Sequence, residues 1–247
     1  MKTNSKTGHH ENVTNLNVLS TRVATLGEAY KPTNELLTVL NLNATCTNGQ
    51  SANDAVDAAE VPLKNARSGR VISFNGLDTL TSRSVNALAV SGASEQTIEQ
   101  AKALARDVHG KRASEILTDE EIAAAKAEGK EARQVIVHNA SFSSKITNFG
   151  KYNLFISAEP KYNPNEADLK PAALKAKLDD MTAKNAAVLT SETAYNTALD
   201  NRNKVLYAEN TGLVDIALSA KLYVKSAFGS TSPEYKLISD LVFTKLA

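Results

Sequence analysis

The sequence predicts an all-α protein, an elongated helical bundle built from two tandem related helical units with long central helices. Three observations support this prediction. Apolar residues recur at spacings of three and four along most of the chain, which is the period of an amphipathic helix. Only 11 Gly and 6 Pro occur among 247 residues, so turns should be few and elements long. Alternation of β-branched residues is nearly absent outside residues 134–137, which argues against a sheet.

The first half of the chain carries the start and stop signals of several helices. Residues 1–11 are polar, and we predict a flexible tail there. Pro32 should end the first helix, whereas Gly49 and Pro62 are expected to interrupt or kink the second. Ser94 is a typical N-cap of the last helix in this half. The predicted helices cover residues 13–26, 35–72, 77–89 and 98–108.

A charged, alanine-rich segment at residues 111–134 separates the halves, and we predict that it is a helical insert or linker. It contains a capping box that starts at Thr118, in which a threonine and a glutamate satisfy each other's backbone N–H groups. In the second half, Pro171 should lie close to the start of a long helix, and Ser232-Pro233 should open the last one. The predicted helices cover residues 142–156, 170–207, 213–227 and 233–242.

The two halves share one plan, which predicts a tandem duplication of a helical unit. Tyr30 and Tyr162 each open a similar Tyr-x-Pro segment, and an arginine follows 40 residues later in both halves, at Arg70 and Arg202. Each half then has a Gly-Leu break, at Gly76-Leu77 and Gly212-Leu213. We therefore predict that repeat 1 covers residues 12–110 and repeat 2 residues 135–247. The long helices of the two repeats would pack antiparallel, with shorter helices beside them.

Composition excludes several function classes. The net charge is +1, so no basic surplus indicates nucleic acid or an anionic membrane surface as a partner. No apolar run is long enough to insert into a membrane. The single cysteine, Cys46, excludes an internal disulfide and a cysteine-based zinc site. The first sixteen residues lack an apolar stretch, so we expect no signal peptide and a cytoplasmic location by default; export without a signal stays open.

No catalytic, metal-binding or cofactor-binding pattern stands out. The histidines, His9, His10, His109 and His138, lack metal-ligand spacing with a carboxylate on the same helical face. The segment after His109 lacks the glycine and the preceding strand that a phosphate-binding loop requires. No G-x-S-x-G nucleophile motif is present. We therefore predict no enzymatic activity and no cofactor; an enzyme assembled from scattered residues is the weakest hypothesis.

Two tyrosines and three arginines recur in the two halves and are the candidate contact residues: Tyr30, Arg67, Arg70, Tyr162 and Arg202. The favoured interpretation is that they bridge helix ends and loops; the alternative is a duplicated ligand or partner contact. We predict a non-enzymatic structural or protein-interaction protein, which associates with itself through its long helices or binds a protein partner. The alternative function is a binding module for a small or polymeric ligand at the interface of the two repeats.

Overall fold

The computed structural model describes residues 6–110 and 141–245. It is 80% helical and contains no strand among those residues, which confirms the all-α prediction. The predicted insert, with its capping box, lies outside the described residues. Short 3₁₀ turns occur at Gly27–Ala29, Glu35–Leu37 and Ala167–Leu169. The described helices are α1 Lys6–Ala24, α2 Val39–Phe74, α3 Leu77–Ala89, α4 Glu95–His109, α5 Phe142–Ser157, α6 Pro171–Tyr207, α7 Leu213–Phe228 and α8 Pro233–Ser239.

The chain divides into two compact units whose boundaries fall inside the long helices α2 and α6. The terminal unit combines Met1–Lys64 with Thr190–Ala247, and the central unit is Asn65–Leu189. Repeat 1 therefore contributes α1 to the terminal unit and both α3 and α4 to the central unit. Repeat 2 contributes α5 to the central unit and both α7 and α8 to the terminal unit. Each unit contains helices from both predicted repeats.

The core of the terminal unit is mainly aliphatic. Leu16 and Leu19 of α1 are fully buried in the same cluster as Leu213 and Val224 of α7. Gly49 permits α2 to approach α7 closely, because a Cβ atom at residue 49 would lie 2.7 Å from Leu213 Cδ1. The amphipathic stripe predicted from the sequence is thus the face that α1 buries.

Helix α1 begins at Lys6, within the segment for which the sequence predicts a flexible tail. Residues 6–11 are helical and do not form a tail. Polar side chains in the first turns of α1 are held by residues that lie about 200 positions later in the sequence. Asn12 is buried, and it donates to Thr244 O and accepts from Thr244 N, both at 2.9 Å. His9 is buried beside Tyr207. The sequence pattern gave no sign of these partners, which lie about 200 residues further along.

The core of the central unit is more aromatic. Phe149, Tyr152 and Ile156 of α5 are fully buried with Leu174 of α6 and Leu88 of α3. The Phe149 and Tyr152 rings stack with their centroids 6.2 Å apart. The Tyr152 hydroxyl is hydrogen-bonded to Ser84 Oγ, so the polar tip of this buried ring is satisfied.

Both long helices are continuous. Helix α2 passes through Gly49 and Pro62, where the sequence analysis expected an interruption. Pro62 is exposed, whereas Val56 and Leu63 on the same helix are buried, so packing on both sides of the proline maintains the helix. Helix α6 begins at Pro171, as expected, because the first helical position needs no N–H donor.

Candidate functional site

Tyr30 and Tyr162 lie in different units and make the same interior contact. The Tyr30 hydroxyl donates to Leu37 O at 2.7 Å, and the Tyr162 hydroxyl donates to Leu169 O at 2.7 Å. Burial is the main cause that raises the pKa of each tyrosine to about 12, so both hydroxyls stay protonated and able to donate at neutral pH. Each tyrosine closes the loop that precedes a long helix.

Arg70 lies in the central unit and is held by two other helices. Its guanidinium carbon is 4.1 Å from the centroid of the Phe142 ring of α5, in a cation–π arrangement. Its Nη1 donates to Asn185 Oδ1 of α6 at 3.2 Å, whereas its Nε is buried without a hydrogen-bond partner among the described residues. Arg67, one turn earlier on α2, is exposed. Arg70 therefore bridges α2, α5 and α6.

Arg202 lies in the terminal unit and is only 9% exposed. Its Nε and Nη2 both donate to Asn203 Oδ1, at 3.3 and 3.0 Å. Burial lowers the pKa of His9, and the positive charge of Arg202 lowers it further. His9 Nδ1 lies 2.6 Å from the Tyr207 hydroxyl oxygen. This contact suits a neutral imidazole ring whose Nδ1 accepts a hydrogen bond from the hydroxyl. Arg70 and Arg202 are thus each engaged within their own unit.

A groove of about 660 Å³ opens in the central unit between α3 and the loop that precedes α6; we call it the polar groove. Two contacts hold its walls in addition to the Tyr162 hydrogen bond. Arg83 pairs with both carboxylate oxygens of Asp168, at 2.5 and 3.3 Å, and Lys161 Nζ donates to Gly92 O at 2.6 Å. The lining residues are Arg83, Asn86, Ala87, Val90, Ser91, Lys161, Asn163, Pro164, Asn165, Glu166 and Leu169. Helix α3 lies in predicted repeat 1 and the loop in predicted repeat 2.

In the terminal unit, a tyrosine of α7 packs against the loop that precedes α2. Both α3 and α7 begin after a Gly-Leu break, and Ala87 and Tyr223 each lie eleven residues after that glycine. Tyr223 packs edge-to-face on Tyr30, with centroids 5.3 Å apart. Its hydroxyl accepts from Lys31 N at 3.1 Å. Tyr223 therefore packs between α7 and the loop that precedes α2, whereas Ala87 lines the polar groove.

The polar groove offers uncharged hydrogen-bonding groups beside an apolar contact. Asn86, Asn163 and Asn165 each carry an amide that both donates and accepts. The lining cations Arg83 and Lys161 are balanced by Glu166 and by Asp168, the partner of Arg83. Val90, a lining residue, is 87% exposed. None of these side chains was predicted as a contact residue; Asn163 stood out only as part of the repeated Tyr-x-Pro segment.

Comparison with protein-family models, curated proteins and solved structures finds no match. Across residues 6–110 and 141–245, no group of His, Cys, Asp and Glu side chains is placed to hold a metal ion. None of the described helices is both long and apolar enough to cross a bilayer. The chemistry of the polar groove therefore has to be inferred from its own side chains.

Proposed function

We propose that this chain is a non-enzymatic protein-interaction module that binds an extended segment of a partner protein in the polar groove. The observation that carries the proposal is that Ala87 lines an open groove, whereas Tyr223, at the matching position after the Gly-Leu break, packs on Tyr30. The groove volume of about 660 Å³ lies within the range of ligand sites. The groove lies between α3, in predicted repeat 1, and the loop before α6, in predicted repeat 2, which also supports the alternative proposal of ligand binding between the repeats.

The lining of the groove favours a polypeptide over other ligands. An extended peptide presents alternating N–H and C=O groups, which the amides of Asn86, Asn163 and Asn165 complement. The lining residues include no aromatic ring on which a sugar or a base could stack. The balanced charges give no preference for an anion. Val90 supplies the apolar contact that would anchor one side chain of the partner.

The proposal includes a tandem duplication, which matched interior contacts support. Phe74 and Phe142 pack edge-to-face beside Arg70 in the central unit, with centroids 4.8 Å apart. His9 and Tyr207 pack edge-to-face in the terminal unit with centroids 5.6 Å apart, and Arg202 acts electrostatically on both. The tyrosine-to-carbonyl hydrogen bonds are matched as well. Divergence between the repeats then accounts for an alanine at residue 87 where the other repeat has Tyr223.

Self-association through the long helices stays a prediction. Light scattering over a concentration series tests it, and a strict monomer at high concentration would count against it.

Arg67, Arg70 and Arg202 have no part in the proposed groove, because Arg70 and Arg202 are held by side chains of their own unit and Arg67 is not among the lining residues.

We expect the substitution Ala87→Tyr to fill the polar groove and to weaken peptide binding by at least about tenfold, because the new ring takes the space that the peptide needs. Random peptides displayed on phage are first selected on the immobilised wild-type protein. The affinities of the selected peptides are then measured by calorimetry with both proteins. The matched control is Ala89→Tyr, which adds the same ring at an exposed position of α3 that does not line the groove.

Retained binding by the Ala89→Tyr variant, with lost binding by the Ala87→Tyr variant, would support the proposal. If no peptide is enriched, or if the enriched peptides bind both variants as tightly as the wild type, the polar groove is not a peptide site.

A further inference from the structure

Residues 241–245, the last that the structure describes, follow α8 as an irregular segment that we call the C-terminal strap. Two asparagines of α1 hold it. Asn12 accepts from Thr244 N and donates to Thr244 O, both at 2.9 Å, and Asn15 Nδ2 donates to Val242 O at 2.8 Å. Helix α1 therefore binds the strap through the backbone of the strap.

The strap also contacts α7 and the core of the terminal unit. Leu241 is only 8% exposed, and Phe243 packs against the aliphatic core cluster. Lys221 Nζ of α7 donates to Leu241 O at 2.6 Å, and Lys245 Nζ lies 2.6 Å from Asp215 Oδ1 of the same helix. The strap thus links α1 to α7 and covers part of the core.

A buried histidine is connected to the strap by hydrogen bonds. His9 lies one turn before Asn12 on α1 and is only 6% exposed. Its Nδ1 lies 2.6 Å from the Tyr207 hydroxyl oxygen, to which Asn12 Nδ2 donates at 3.4 Å. Because Asn12 also holds Thr244, a chain of hydrogen bonds runs from His9 through Tyr207 and Asn12 to the strap.

The charges around this chain favour a neutral His9. Beside Tyr207 itself, the described titratable and charged side chains that face His9, its neighbour or Tyr207 are His10, Asp57, Arg202, Glu209, Asp215 and Lys245. The carboxylates are not directed at His9: Asp57 lies 3.5 Å from His10 Nε2, Asp215 is paired with Lys245, and Glu209 is exposed. Burial lowers the pKa of His9, and the positive charges of Arg202 and His10 lower it further.

We propose that His9 is an acid-sensitive latch, whose protonation releases the C-terminal strap from α1. A protonated ring carries a hydrogen on Nδ1 and no longer accepts from the Tyr207 hydroxyl. It also places a second cation beside Arg202 in a buried position, which is costly without a counter-charge. Opening the first turns of α1 returns both groups to water, and it removes Asn12 from Thr244. The latch lies in the terminal unit and is independent of peptide binding in the polar groove.

The direction of the pH dependence follows from the two states of His9. In the released state His9 has its ordinary pKa of 6.5, whereas in the latched state the pKa is lower. The latched state therefore binds fewer protons, and its full stability is present above about pH 6.5. This stability is lost as the pH falls through the lower pKa of the latched state.

Hydrogen exchange of the Thr244 amide measures the latch directly, because this N–H is donated to Asn12 Oδ1. The ¹⁵N-labelled full chain is followed by NMR, and the protection factor is corrected for the pH dependence of intrinsic exchange. We expect the protection factor of Thr244 to fall at least about threefold between about pH 7.5 and about pH 5. The amide of Met181, a fully buried residue of the central unit, should keep its protection.

Two matched variants assign the effect to one histidine. His9→Asn retains an atom that can accept from Tyr207 but cannot take up a proton, so the protection of Thr244 should no longer depend on pH. His10→Asn changes the neighbouring, partly exposed histidine and should respond as the wild type does. Wild-type protection that does not change with pH, or an equal fall in the His9→Asn variant, would overturn the inference. A parallel loss at Met181 would also overturn it, because the whole chain would then be unfolding.

A titration of the wild type gives a second test that needs no substitution. The ring resonances of His9 report its own protonation, and the amide resonance of Thr244 reports the strap. We expect both signals to change with the same midpoint, below pH 6.5. Different midpoints for the two signals would show that the strap does not respond to His9.

Discussion

Substitution of Phe149 by Ala is expected to lower the free energy of unfolding by about 3–5 kcal/mol, because it removes a fully buried ring and leaves a cavity. Phe149 is 0% exposed and lies in the core cluster of the central unit. It stacks on Tyr152, whose hydroxyl is fixed by Ser84, so its neighbours have little freedom to close the space. Urea unfolding followed by circular dichroism measures both the midpoint and the slope of the transition.

The matched control for this substitution is Leu154→Ala, on the same helix. Leu154 is 77% exposed, so its truncation should cost no more than about 0.5 kcal/mol. Both variants truncate a large apolar side chain of α5 to Ala, and the chief difference between them is burial. If Phe149→Ala costs no more than Leu154→Ala, the core assigned to the central unit is wrong.

Removal of the Tyr30 or the Tyr162 hydroxyl is expected to cost about 1–3 kcal/mol in each case, because each leaves a buried carbonyl without its donor. The variants Tyr30→Phe and Tyr162→Phe retain the ring and remove one hydrogen bond, to Leu37 O and to Leu169 O. Similar losses are expected, since the two contacts have the same length and the same sequence separation. Urea unfolding again provides the measurement.

Tyr195→Phe is the control for the loss of a hydroxyl as such. Tyr195 lies on α6, is half-buried, and forms no hydrogen bond among the described residues, so its variant should be as stable as the wild type. A neutral result for only one of Tyr30→Phe and Tyr162→Phe would break the proposed equivalence of the two loops.

Much of the helical architecture could be predicted from the sequence, because helix burial repeats with the helical period. The stripe through Leu16 and Leu19 is the buried face of α1, and Pro171 is the first residue of α6. Of the two outcomes expected at Pro62, interruption or a kink, interruption does not occur, because residues on both sides of the proline are packed. The helical start of α1 was missed because Asn12 is anchored by Thr244, at the other end of the chain.

The candidate sites were harder to predict because they depend on what faces each residue. The tyrosine pair was found by its repetition, but its role in closing the loops required the positions of Leu37 and Leu169. Ala87 carries no signal of its own. Alignment of the two Gly-Leu breaks gives Ala87 the same position as Tyr223, so the substitution of alanine for tyrosine was visible in the sequence. The structural effect of that substitution depends on the loop against which Tyr223 packs.

Each compact unit contains helices from both predicted repeats, and thiol cross-linking across two exposed salt bridges tests this most directly. In the terminal unit, Arg22 Nη1 lies 2.8 Å from Asp240 Oδ1. In the central unit, Arg83 pairs with Asp168. With Cys46 replaced by Ala, each of these pairs is converted to cysteines and treated with a short bis-maleimide. We predict an intramolecular cross-link in both double variants of the folded protein and none in denaturant, as read by mass spectrometry. Failure of either pair to cross-link in the folded protein would contradict the packing of segments from both predicted repeats within one unit.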